Sequence, residues 1–326
     1  MNIQELSSTM NLNRLSYHKK TVLSPLTSRS VTIVIPTLNE EGNLEKLFEY
    51  LHQTFESLGY TLPVLVVNDG STDRSPDILR QLQQRYNFLR VVHHSQRRGV
   101  AEVWATALRH VKTDWIFWGQ ADLESDPRSD IPALLKAYHP GVDAIAGWRQ
   151  QRGDGKVMAS SIANFACRLV FGSPIHDMNW IKLIRRDLLA PLPITLITHR
   201  YLLPVISAQG HTVIETPTPW HPRYSGSSKF GRKRLITSAK DFVRAATWFY
   251  VLQPVEIVGT YMSIMLKAID AGFTTAKRTW ELQLQSSKVP VQTHSVSPTL
   301  LLENTSIRAM AQHLELAATK VNPSLS

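Results

Sequence analysis

A chain of 326 residues with 43% hydrophobic content can bury a full core, as one large domain or two modest ones, so it should fold. Its single cysteine, Cys167, excludes an intrachain disulfide framework, and the N-terminus has no apolar run before a small-residue cleavage site, so secretion is not expected and a cytoplasmic location is. The formal net charge of +10 is uneven: seven Lys or Arg stand against one acid, Asp241, from Arg223 to Arg244. That segment suits phosphates or an anionic membrane surface, or is a solvated helix face. The basic residues lack an interleaved stacking platform or a reader motif, which sets nucleic acid aside as a partner.

Residues 1 to about 28 are polar and without periodicity and read as a flexible tail. VTIVIP at 31 to 36, a β-branched run stopped by proline, predicts a buried strand. Leu44, Leu47, Phe48, Leu51, Phe55 and Leu58 then mark one face of a helix. The alternation continues with strand 63 to 67, helix 75 to 86, strand 89 to 94, helix 100 to 111 and strand DWIFW at 114 to 118. Three βα steps in a row predict an α/β fold with a largely parallel sheet flanked by helices. A helix near 128 to 138, a strand at 142 to 148 and an apolar helix at 157 to 171 follow. Next come strand 179 to 184, helix-like RYLLPVISAQ and strand 212 to 216, so that residues 29 to about 235 read as one domain.

Residues 236 to 282 are rich in Trp, Phe and Tyr and flanked by Lys and Arg; they read as interfacial amphipathic helices or as a helix pair packed on the core. The apolar stretches 246 to 255 and 257 to 266 are separated by Glu256. Each is half of the ~20 residues a span requires, so no transmembrane helix is expected. Residues 283 to 326 read as a second tail with one short helical pattern near 305 to 319.

In sheets of this kind ligands bind beyond the carboxyl ends of the strands. Three polar loops fall there: TLNEEGN at 37 to 43, NDGSTD at 68 to 73 and GQADLESDP at 119 to 127. The last places Asp122, Glu124 and Asp126 within five residues. A divalent cation that bridges a pyrophosphate needs only one or two protein carboxylates, because phosphate and water complete its shell. The same loop is also an ordinary turn in which Asp126 caps the helix after Pro127. Asp69 is a turn residue or an acceptor for a nucleobase or ribose.

Together these loops resemble those of the family 2 inverting glycosyltransferases with a GT-A fold, over about Val31 to Arg234. Within that family RYSGSSK at 223 to 229 fits the R-x-x-G-x-S-K element of polyprenyl-phosphate glycosyltransferases of the dolichol-phosphate mannosyltransferase type. The resemblance implies that Pro36, Leu38, Glu40 and Asp69 line a nucleotide pocket and that Asp122 holds Mg²⁺ or Mn²⁺ on the donor diphosphate. The family usually reads Asp-Ala-Asp at the metal loop; here Gln120 replaces the first Asp, and Glu124 stands where relatives often carry Gln. Either Asp122 and Glu124 bind the cation with Gln120 assisting, or the site has drifted from catalysis and binds a nucleotide sugar without turnover.

The expected reaction is sugar transfer, with inversion, from GDP-mannose or a UDP-hexose to a polyprenyl phosphate. The acceptor phosphate is already ionised near neutral pH, its second pKa being about 6, so no general base is required. Arg223 and Lys229 are assigned to phosphates, Gly226, Ser227 and Ser228 to a close backbone turn and hydroxyl contacts, and Asp177 to a supporting role near the acceptor. A soluble or saccharide acceptor is the alternative, and it would need a base such as Asp177 or Glu124. His176 and His221 read as structural, and no role is carried to Arg98. The run Arg232 to Arg234 and the aromatic residues Trp248, Phe249 and Tyr250 are expected at lipid headgroups, giving a peripheral position on the cytoplasmic face of a membrane.

Overall fold

A computed structural model describes Leu26 and residues 30–150, 157–226 and 233–286. A seven-stranded sheet has the order β3-β2-β1-β4-β6-β5-β7. Its strands are β1 (Val31–Thr37), β2 (Val64–Asn68), β3 (Leu89–His93), β4 (Trp115–Trp118), β5 (Ala144–Gln150), β6 (Lys182–Arg185) and β7 (Val213–Pro219). The helices are α1 (Leu44–Leu58), α2 (Ser75–Arg85), α3 (Val100–His110), α4 (Pro127–Lys136), α5 (Val157–Phe171), α6 (Arg186–Leu189), α7 (Ile194–Ile197) and α8 (Leu202–Ala208). At the C-terminal side stand α9 (Lys233–Thr247), a π-helical turn (Trp248–Leu252) and α10 (Gln253–Ser286).

The expected parallel sheet is present with one exception. Strand β6 runs antiparallel to both β4 and β5. This reversal brings the start of β6 to the same edge as the carboxyl ends of the other strands, pairing Lys182 with Trp118 and with Ala146. The one-residue pitch of β1 explains the two-sided core: Ile33 and Ile35 face the layer of α1, α2 and α4, while Val34 faces the layer of α3, α5 and α8. Leu44, Leu47, Phe48, Leu51 and Phe55 of α1 are all buried, as their three- and four-residue spacing predicts. On the opposite layer Trp104 and Trp118 stack with ring centroids 3.7 Å apart. Each such fully buried large side chain contributes about 2 kcal/mol or more to folding.

Two expectations at the C-terminal side are corrected. Trp248 and Phe249 pack into the core with Ala245, at 5% and 6% exposure, and only Tyr250 of that trio is exposed. Tyr201 donates its hydroxyl to the Ser238 carbonyl and Arg200 pairs with Asp241, so α9 belongs with the core. The second correction concerns length. Helix runs on through Glu256, and Thr237–Thr279 is one helix long and apolar enough to cross a membrane. Counting apolar residues up to the nearest charge divided a helix that one carboxylate does not break. The chain divides into two compact units, Met1–Val258 and Gly259–Ser326. The helical pattern near 305 to 319 lies outside the described residues.

Candidate active site

The loops after β1, β2, β3, β4 and β7 meet at the carboxyl edge of the sheet, with the turn before β6 beside them. The first two are laced together: Thr72 N donates to Asn39 Oδ1 at 2.8 Å, Asn39 N to Ser71 Oγ at 2.9 Å, and Glu40 N to Ser75 Oγ at 2.9 Å. Pro36, Leu38 and Glu40 are half-buried along this edge. The Glu40 carboxylate accepts from Asn43 Nδ2 at 2.6 Å, which fixes it at the start of α1.

Asp69 is buried, and both its oxygens are engaged. Oδ1 accepts from Arg98 N at 2.8 Å and lies 2.8 Å from His94 Nδ1; Oδ2 accepts from Gly99 N at 2.8 Å. His94 Nε2 in turn lies 2.9 Å from Thr106 Oγ1. The carboxylate therefore anchors the loop between β3 and α3. Gly70, at φ 69°, lets that loop pass: a Cβ there would stand 2.3 Å from the Gln96 carbonyl carbon. Arg98 thus serves through its backbone, a role no side-chain motif announces.

The acid loop leaves β4 through Gly119, whose amide donates to Val34 O at 2.9 Å. Leu123 then takes a left-handed φ of 59° while its side chain is buried, a strain of about 1–3 kcal/mol offset by packing. This turn sends the flanking residues Asp122 and Glu124 to one side. Asp126 caps α4, its side chain accepting from Arg128 N.

Arg223 spans the acid pair. Its Nη2 lies 2.7 Å from Asp122 Oδ2 and its Nε 2.7 Å from Glu124 Oε1. Burial raises the Asp122 pKa, and the neighbouring Glu124 adds to it, against the pull of Arg223. Burial alone would lower the Arg223 pKa, but Glu124, Asp122 and Glu40 together raise it. Gln120 does not join the pair. Its carboxamide oxygen is buried without a hydrogen-bond partner, and the residue borders a cavity of about 10 Å³ among Ile33, Ile35, Leu47 and Leu51. Among the described residues no three of His, Cys, Asp and Glu cluster as a metal cage. Gly226 follows at φ 82°, and Lys229, Ser227 and Ser228 lie outside the described residues.

A second charged cluster sits where β5, β6 and β7 meet the same edge. Asp177 takes Arg149 as a bidentate pair, Nε to Oδ2 at 2.6 Å and Nη2 to Oδ1 at 2.8 Å. Lys182 is buried, donates to Met178 O at 3.0 Å, and has its pKa brought down to about 8 by burial, with Asp177 raising and Arg149 lowering it. Glu215 accepts from the backbone amides of His176 and Asp177 at 2.8 and 2.9 Å and holds the turn that presents Asp177. Sequence reasoning named Asp177 and missed Arg149, Lys182 and Glu215. The available signal was Lys182 itself, a cation inside the otherwise apolar run WIKLI at 180 to 184.

Residues 32–185 match the model of Glycosyl transferase family 2. The match covers 154 of the 326 residues. The match supports a transferase similar to this inverting family, as its loops led one to expect. It is 28% identical over 244 residues, 73% of this chain and 74% of the other, to undecaprenyl-phosphate 4-deoxy-4-formamido-L-arabinose transferase of Edwardsiella ictaluri (strain 93-146). The fold matches that of glucosyl-3-phosphoglycerate synthase from Mycobacterium tuberculosis, solved with Mn²⁺, uridine diphosphate and glucosyl-3-phosphoglycerate, at TM-score 0.53 and 18% identity over 67% of this chain and 79% of that one. The same synthase with phosphoglyceric acid aligns at TM-score 0.52 over the same shares. The family match ends at β6, so Arg223 and strand β7 lie beyond it.

Proposed function

We infer that this transferase moves a sugar from a nucleoside-diphosphate sugar to a polyprenyl phosphate at a membrane surface. The observation that carries the reading is a charge division along one sheet edge. The acid pair Asp122 and Glu124 stands at the end of β4, and the buried cations Arg149 and Lys182 stand at the neighbouring ends of β5 and β6. A cation on a diphosphate fits the first place and a phosphate monoester fits the second. The Edwardsiella ictaluri relative, named for undecaprenyl phosphate, supports that acceptor class, and the synthase bound to Mn²⁺ and uridine diphosphate supports the donor class and a divalent metal.

The donor set suits a hard cation: two adjacent carboxylates already hold a cationic group, and a diphosphate completes the shell. Asp122 and Glu124 would hold Mg²⁺ or Mn²⁺, with Gln120 set aside, and the metal would stabilise charge on the departing diphosphate. The chain's own residues supply the rest. Pro36, Leu38 and Glu40 shape the nucleotide side, and Asp69 acts there by fixing the loop at residues 94 to 99. Arg149 and Lys182, with Lys229, neutralise the acceptor phosphate and aim one oxygen at the anomeric carbon. That oxygen forms the new bond as the bond to the diphosphate breaks, the sugar inverts, and no proton changes hands. Asp177, with both oxygens on Arg149, positions the phosphate cations and is a poor candidate for the base that a saccharide acceptor would need.

The helix through Thr237–Thr279 supports a membrane location. Past the core-packed Phe249, Tyr250 to Leu266 carries Glu256 as its one charge, and these 17 residues at ~1.5 Å each run about 26 Å, the short end of what crosses a bilayer's hydrocarbon core. The test is transfer of labelled sugar from GDP-mannose, UDP-glucose and UDP-N-acetylglucosamine to a polyprenyl phosphate in detergent, with Mn²⁺ or Mg²⁺ and with chelator. Metal-dependent label in the lipid phase is the expected result and names the donor. Label appearing only on a water-soluble acceptor would overturn the lipid reading.

A further inference from the structure

Nε and Nη2 form one edge of the Arg223 guanidinium, and that edge is shared between two different carboxylates, at 2.7 Å to each. All three side chains are largely withdrawn from solvent, at 15% to 18% exposure. The backbone on both sides of Arg223 is tied down. His221 N donates to Glu124 O at 3.0 Å, and Asn43 Nδ2 donates to Ser225 O at 3.4 Å, beside Gly42, where a Cβ would come within 2.5 Å of Ser225 Oγ. An exchange of partners at Arg223 is therefore a side-chain movement on a seated backbone. The group is also incompletely neutral, since two carboxylates face one guanidinium.

We propose that Arg223 is the resident counter-ion of the Asp122–Glu124 pair and determines which cation the pair accepts, excluding a free divalent ion and admitting one that arrives on a nucleoside diphosphate. This deepens the metal reading above and rests on it. The physical reason is what becomes of the displaced charge. A free ion that takes the carboxylates leaves a partly buried guanidinium without a partner, and an unpaired buried charge is costly. A diphosphate-borne ion brings phosphate oxygens with it, and a guanidinium binds these as well as carboxylates. The carboxylates then pass from a +1 to a +2 partner, and Arg223 passes to the phosphate. The site thereby binds metal and donor together and spares the acid pair from metal without donor.

The test is Mn²⁺ titration of the full chain, read by loss of the free-ion electron paramagnetic resonance signal, alone and with UDP or GDP. Wild type is compared with Arg223→Gln and Arg223→Lys, each checked for folding by thermal melt. Wild type should bind Mn²⁺ at least about tenfold more tightly with nucleotide than without, and Arg223→Gln should bind Mn²⁺ alone about tenfold more tightly than wild type, the size of one charge-assisted contact. Arg223→Lys should fall between, because one ammonium lacks the planar edge that spans both carboxylates, and it carries the comparison if the glutamine variant does not fold. Equal affinity of all three for free Mn²⁺ would overturn the proposal and leave the metal reading standing. No Mn²⁺ bound by any of them with either nucleotide would overturn the metal reading, and the proposal with it.

Discussion

Asp69 and Lys182 show how differently two buried charges can serve one edge of a sheet. The Asp69 carboxylate accepts two backbone amides and faces His94, so its removal strands three polar groups in the interior. Asp69→Ala should cost about 3 kcal/mol in urea unfolding. A variant that kept its stability and lost only nucleotide affinity would show instead that Asp69 touches the donor. Lys182 carries a pH signature. With its pKa brought down to about 8, the ammonium is charged below that pH and neutral above it. If it holds the acceptor phosphate, the KM for polyprenyl phosphate should rise as pH climbs from about 7 to about 9, while Lys182→Arg, which stays charged, should give a flat profile. Parallel profiles for the two proteins would remove Lys182 from the acceptor site.

At the scale of elements, the loop crossing at Gly70 and the first turn of α4 are the informative places. Gly70 combines a left-handed φ with a neighbouring backbone 2.3 to 2.4 Å from where a Cβ would stand. Gly210 has a comparable φ of 87° in open space. Gly210→Ala should therefore cost about 1 kcal/mol, the conformational part alone, and Gly70→Ala well above that, by thermal or urea unfolding. Equal costs would mean that the 94 to 99 loop yields freely. In α4, Asp130 is fully buried against Ser125 and Ser129, with its pKa raised to about 6 by burial. The folded protein thus holds this proton more tightly than the unfolded chain does. Stability contributed by the group is present below about pH 4 and falls by about 3 kcal/mol as pH rises to about 6. Asp130→Asn should flatten that limb of the unfolding free energy measured between those two pH values.

For the whole molecule the question is where the catalytic unit sits. Met1–Val258 forms one compact unit, and the exposed apolar side chains beyond it include Met262, Ile264, Leu266 and Phe273. With the span read as membrane-crossing, full-length protein should stay in the membrane fraction through an alkaline carbonate wash. A chain ending at Val258 should move to the soluble fraction with its fold intact. Release of the full chain by carbonate would return it to a peripheral position, which a basic, aromatic segment on the surface could also provide.

Much of this protein was legible in one dimension. The strands and helices through β4 follow from apolar periodicity, because a buried face repeats locally in the chain. The three loops at strand ends follow from their turn and acid chemistry, and Asp122 and Glu124 from the spacing of two like charges beyond an apolar strand. Tertiary structure decided the rest. The reversal of β6 depends on which strand pairs beside it, and that contact joins residues far apart in sequence. Arg149, Asp177, Lys182 and Glu215 become one cluster only through that reversal. Helix continuity through Glu256 depends on backbone hydrogen bonds that a charge on the surface does not interrupt, and the burial of Trp248 and Phe249 on what the core leaves open to them. Arg223 belongs to the acid loop for the same reason: a salt bridge across 99 residues is written by the fold, while the sequence by itself records only that both charges exist.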